Sequence, residues 1–125
     1  MPINYVTTVR SARMQVVADA IDAGSGPGYV ELCSEDYAEV LSVVPLAKPS
    51  FTELNGVLTM ANVPRTDASA DHSGDAAIAR VYDSNGDLVA DGLTVGTSNA
   101  DILLNSVEIG EGQQVTIASG RIRHV

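Results

Sequence analysis

The stretch with the most obvious chemical potential is Asp83-Ser84-Asn85-Gly86-Asp87, which sets carboxylate and amide oxygens at alternate positions, as a calcium loop does. The match stops there. The sixth position of such a loop is Leu88, where glycine is needed, and the twelfth is Thr94, where a bidentate glutamate is needed. Asn-Gly is also a strong hairpin signal, and a hairpin explains the same residues without an ion. A second cluster, over residues 67–75, holds Asp67, Asp71, His72 and Asp75. No second His or Cys stands near His72, and a transition-metal site draws several such ligands together. These residues are therefore expected to form a long polar connection, mobile or ordered by contact with a partner. Whether the connection takes up an ion is left open by the residues alone.

Nucleophilic and phosphate chemistry find less support. Cys33 falls in a strand pattern, where a free cysteine behaves as a small buried hydrophobe. It is the single cysteine, so no internal disulfide can form, and folding in a reducing cytoplasm is expected. The two histidines, His72 and His124, lie far apart in the chain, and no Gly-x-Ser-x-Gly elbow occurs. Gly24-Ser25-Gly26-Pro27-Gly28 lacks the Gly-Lys-Ser/Thr ending of a phosphate loop and follows a helix where that loop precedes one. It reads as a flexible connector. The sequence assigns no catalytic, cofactor-binding or metal-ligating residue, and an enzyme is not expected.

Composition narrows the partners. A net charge of −9 argues against nucleic acid and anionic membranes, both of which need a concentrated basic surface. No apolar run approaches the ~18–20 residues of a membrane span. The start Met1-Pro2-Ile3-Asn4-Tyr5 lacks the charged and apolar regions of a signal peptide, so none is expected. Lys48 is the single lysine beside six arginines, a bias toward the residue whose planar fork suits interface ion pairs. Trp is absent and the tyrosines are Tyr5, Tyr29, Tyr37 and Tyr82, a thin supply for a sugar-binding platform.

The elements that must position these groups can be read from periodicity. Thr7 or Thr8 can cap a helix that ends before Gly24, in the place of a C′ glycine. Within it Val9, Ala12, Val16, Val17, Ala20 and Ile21 form an apolar stripe, expected to pack on the domain's own sheet or, as the sharper alternative, on a neighbouring subunit. After the glycine-rich segment the period becomes strand-like, over 29–33, 40–46, 51–54, 57–60, 76–83, 88–90, 101–105, 107–109, 115–118 and 121–125. Asn55-Gly56 and Asn85-Gly86 are hairpin turns in this reading. A chain of 125 residues with 45% apolar residues and a single Phe, Phe51, can bury one aliphatic, β-branched core. The expected fold is mainly β: an antiparallel β-sandwich of seven or eight strands, jelly-roll-like or immunoglobulin-like, with one N-terminal α-helix. Residues 1–28 supply the helix and connector and residues 29–125 the sandwich, one domain overall.

Several stretches carry a family resemblance. Asn4-Tyr5-Val6-Thr7-Thr8-Val9-Arg10-Ser11-Ala12-Arg13 and the segment 17–28 resemble the start of small proteins encoded among the structural genes of tailed bacteriophages. Ala79-Arg80-Val81-Tyr82-Asp83-Ser84-Asn85-Gly86, the segment 91–105 and Gly112-Gln113-Gln114-Val115-Thr116-Ile117 are similar in the same order. The resemblance implies a virion structural component, assembled in the host cytoplasm, and no activity. Its leading form is a capsid cement or decoration protein that binds the major capsid protein, as a homo-oligomer for which a trimer follows by analogy. A neck, tail or fibre-associated protein is the alternative, and a carbohydrate- or receptor-binding module is an alternative of another class. No site residue carries over from the family.

Overall fold

The computed structural model describes residues 6–123; Tyr5 and His124, named above, lie outside them, as do the last two residues of the expected final strand. The chain opens with helix α1 (Thr7–Ile21). Eleven strands follow: β1 (Tyr29–Cys33), β2 (Val40–Pro45), β3 (Phe51–Leu54), β4 (Val57–Met60), β5 (Arg65–Asp67), β6 (Gly74–Asp75), β7 (Ile78–Tyr82), β8 (Leu88–Gly96), β9 (Ile102–Leu104), β10 (Glu108–Ile109) and β11 (Val115–Arg123).

The helix packs inward through Met14, Ala18 and Ile21, all buried, with Val17 half-buried beside them. Steps of three and four residues put these side chains on one face. The expected stripe splits here. Ile21 and Val17 face the core, whereas Val9 and Val16 are exposed, Val16 at 67%. Valines and alanines line both sides of this helix, so periodicity alone could not choose between them. The caps also differ from expectation. Val6 occupies the N-cap with no side-chain hydrogen bond, and Asp22 the C-cap. Gly24 is instead needed for close approach, because a Cβ there would lie 1.6 Å from Ser84 Oγ. Gly28 is held as tightly, with a Cβ position 2.3 Å from the Tyr82 carbonyl oxygen. Gly26 N donates to Ser84 Oγ (3.4 Å) and Lys48 Nζ to the Gly24 carbonyl (2.7 Å). The glycine-rich segment is thus fastened across the β7–β8 hairpin and is not a free connector.

The strands form one strongly curled mixed sheet, a half-barrel, in the order β2-β1-β7-β8-β9-β11-β4-β3, with β5 branching from β11 and β6 pairing β10 separately. The expected two-layer antiparallel sandwich is corrected on two counts. A single curled layer wraps its own core, and β8 pairs β9 in parallel. Parallel neighbours normally need a long crossover. Here only residues 97–101 connect them, and a reciprocal clamp closes the turn: Thr94 N and Oγ1 donate to Asp101 Oδ2 (3.1 and 3.2 Å), and Asp101 N donates to Thr94 Oγ1 (2.9 Å). The mainly β class with one N-terminal helix stands, and so does the β3–β4 hairpin, whose Asn55 and Gly56 take φ of 53° and 84° as a tight hairpin turn requires.

The core is aliphatic: Val30, Leu32, Leu41, Val44, Leu58, Val81, Ile102 and Ile117 are fully buried, with Phe51 the lone aromatic ring. Alternation along β1 and β7 sends Val30, Leu32, Ala79 and Val81 into it and turns Tyr29, Glu31, Arg80 and Tyr82 to the other face.

Candidate docking face

That outward face carries the densest polar and aromatic chemistry among the described residues. The β1–β7 register sets Tyr29 opposite Tyr82 and Glu31 opposite Arg80. Cross-strand neighbours on one face stand about 5 Å apart, near enough to interact directly. The Tyr29 and Tyr82 rings stack with centroids 5.1 Å apart and 14° between planes. Arg80 Nη2 donates to Glu31 Oε1 at 2.8 Å, a pair whose side chains are only 25% and 18% exposed. The guanidinium also lies over Tyr37, 4.7 Å from the ring centroid, and 5.9 Å from that of Tyr82. A cation over a ring face is attracted by the ring quadrupole.

Tyr37 reaches this position at a conformational cost. Asp36 and Tyr37, in the tight turn Glu35–Tyr37, have φ of 58° and 57°, the left-handed region that costs a bulky L-residue about 1–2 kcal/mol. Two contacts offset that cost: the Tyr37 hydroxyl accepts from Gly92 N at 2.7 Å, and its ring underlies Arg80. Tyr37 and Tyr82 thus flank Arg80, and Tyr29 stacks on Tyr82 beside them.

Cys33 lies at the edge of the same face. It is fully buried, with Sγ 3.8 Å from Arg80 Nη2. Burial raises its pKa above 9.0, and the Glu31 charge adds to this against the opposing pull of Arg80. The thiol therefore stays protonated, in a state ill suited to nucleophilic attack. Burial and Glu31 likewise raise the Tyr82 phenol. Arg80 Nε, also buried, has no hydrogen-bond partner among the described residues.

The residues singled out by sequence sit elsewhere, in structural roles. Asp83 Oδ1 accepts from Asn85 N (2.9 Å) and Asp87 N (3.0 Å), which closes the hairpin turn and spends the carboxylate on backbone. Residues 67–75, expected as a long polar connection that is mobile or ordered by a partner, hold short strand pieces and make defined contacts within the chain. They contain the end of β5 and all of β6, and they cover the outer edge of β2. Asp67 Oδ2 accepts from Ser42 Oγ (2.6 Å) and Val43 N (3.3 Å), while Asp71 N donates to the Leu41 carbonyl (2.8 Å). His72 pairs with Glu39 at 3.2 Å on the exposed surface, with Nδ1 3.0 Å from the Val40 carbonyl. No group of three or more His, Cys, Asp or Glu side chains converges on a metal position among the described residues. No helix among the described residues is long and apolar enough to cross a membrane.

Sequence reasoning missed the tyrosine–arginine face. The alternation of Tyr29, Glu31 and Cys33 against Arg80 and Tyr82 was visible, but the pairing of β1 with β7 across more than forty intervening residues was not. No family model, curated protein or solved structure matches the chain.

Proposed function

We propose that this protein is a structural component of a tailed-bacteriophage virion, in its leading form a capsid decoration protein that clamps the major capsid lattice. The resemblance in the sequence motivates the virion. One structural observation supports a docking role: the face formed by Tyr29, Tyr37, Arg80 and Tyr82 presents the side chains most often found as interface anchors, on a ladder that cannot reorganise cheaply. Rigid anchors lose little entropy on docking. The outward helix surface at Val9 and Val16 and the acidic charge suit a body set among protein neighbours and away from packaged DNA. Repeated weak contacts on a lattice add through multivalency. A trimer at a threefold position follows from closed symmetry and is carried by analogy alone.

The neck, tail or fibre alternative would use the same face, and copy number separates it. Decoration proteins occur in hundreds, neck proteins in rings of about a dozen or fewer. Electron microscopy of purified virions with and without the protein, together with its copy number, tests the assignment. Weakened shells and hundreds of copies are expected. Unchanged shells with all of the protein on tails would refute the capsid assignment.

The clustered tyrosines also favour a second reading, a carbohydrate- or receptor-binding module, because an aromatic face is what a sugar ring stacks on. Specific binding on a glycan array, lost in Tyr82→Ala, would promote it.

A further inference from the structure

The curled sheet carries an opening that the ladder leaves unfilled. β9 lies between β8 and β11 but is only three residues long. It pairs β8 at Val95 and Gly96 and β11 from Ile117 to Gly120. Past the start of β9, residues 88–94 of β8 pair only with β7, and residues 121–123 of β11 pair only with β4. Strands on either side of a third stand about 10 Å apart, twice the ordinary spacing, so one strand width is left between them. Arg121 N still reaches the Asp101 carbonyl (2.8 Å), and alternation points the Arg123 amide the same way, into the gap.

The gap is a cleft of about 380 Å³ between Ala90–Leu93 and Arg121–Arg123, adjoined by a second of about 340 Å³ floored by Met14 and Val17 of α1. Its two faces differ. Inward lie Met14, Val17, Ala90 and Ile122, packed on the core, and Arg13 also lines this part of the cleft. Outward lie the exposed Arg121 and Arg123, which form no ion pair among the described residues of this acidic chain. Asp91 and Asp101 also line the cleft and oppose an anion there, but the Asp101 carboxylate is bound by Thr94, so an anion is favoured only at the β11 lip, beside Arg121 and Arg123.

We propose that the gap between β8 and β11 is a strand-accepting slot, filled in the assembly by a short extended segment of a partner protein whose side chains alternate apolar inward and acidic outward. Main-chain hydrogen bonds would supply affinity, and Arg121 and Arg123 the charge selection. A slot three residues deep spans about 10 Å, so each contact is weak and suits a repeated lattice. This builds on the assembly reading by stating the partner's form, and its test needs no virion.

The probes are capped alternating Val-Glu and Val-Lys hexapeptides, read by amide hydrogen exchange on the full chain. At roughly ten times its Kd, the Val-Glu peptide should slow exchange of the gap-facing Arg123 amide about tenfold, and the Val-Lys peptide should not. The exposed double variant Arg121→Glu/Arg123→Glu should reverse the preference. Equal protection by both peptides, or by neither, overturns the proposal. So does protection of the Arg123 amide in the free protein: independent of protein concentration, it means that the slot is filled by the chain itself, and rising with concentration, by a second copy. None of these failures bears on the virion assignment, which copy number reads in the unmodified protein.

Discussion

The outer edge of β2 and the gap between β8 and β11 pose the same problem, a strand with unpaired backbone groups on one side, and the molecule treats them differently. At β2 the segment from β5 onward supplies substitutes for a neighbouring strand. Asp67 accepts from Ser42 and Val43, Asp71 donates to Leu41, and Arg65 Nε donates to the Pro45 carbonyl (3.1 Å). Between β8 and β11 the Asp101–Thr94 clamp ends the ladder abruptly and nothing comparable follows it. Exposed edges invite pairing with other chains, so the sealed edge excludes a partner strand and the open one in the same sheet leaves room for it.

The largest effect is expected from unsealing the first edge. Asp67→Ala removes a charged acceptor and leaves the fully buried Ser42 hydroxyl without its partner, a loss of about 3 kcal/mol in urea unfolding. Adding Ser42→Ala should recover part of it, since removing both partners of a buried hydrogen bond costs less than removing one. Next in size is the docking face. Arg80→Ala strands the half-buried Glu31 carboxylate and removes the cation above Tyr37, for a cost of about 1–2 kcal/mol in the same measurement, and under the proposed docking role it should abolish incorporation into virions. Arg80→Lys should restore part of the stability and less of the docking, because an ammonium lacks the planar fork.

A smaller effect is expected at alkaline pH. Folding raises the pKa of Cys33 and Tyr82, so the unfolded chain gives up these protons first. Stability should be level below the ordinary values, 9.0 for the thiol and 10.0 for the phenol, and fall as the pH climbs through the folded ones. Cys33→Ala should remove the thiol part of that fall, measured as the change in urea midpoint between neutral and alkaline buffer. Smallest of all, Arg121→Glu/Arg123→Glu should move stability by no more than about 0.5 kcal/mol per residue, because both side chains are exposed, while it reverses the peptide preference of the slot.

Much of the local structure was legible. Alternation marked β1, and Asn55-Gly56 marked the β3–β4 hairpin, because these signals sit within a few residues of one another. Asp83 was rightly read as part of a turn, since an aspartate two residues before the amide it accepts closes an Asx turn locally. What escaped was non-local. A rhythm of short strands is the same whether they stack as two layers or curl as one. The parallel β8–β9 pair depends on a clamp between Thr94 and Asp101 that no propensity encodes. The glycines at 24 and 28 looked like flexibility and are contacts, a distinction that only the position of Ser84 and Tyr82 reveals. Asp67 and His72 looked like potential ligands because the strand edge they serve was not in view.

The contrast between the two edges is tested most directly by residue-resolved hydrogen exchange on the free full-length protein. The amides of Val43 in β2 and of Asp71, which seal the first edge, should be protected to the level of the β1–β7 ladder, while Arg123, facing the open gap, should exchange on the order of a hundredfold faster. Equal protection at the two places would contradict the account, because the second edge would then be closed as firmly as the first and no room for a partner strand would exist.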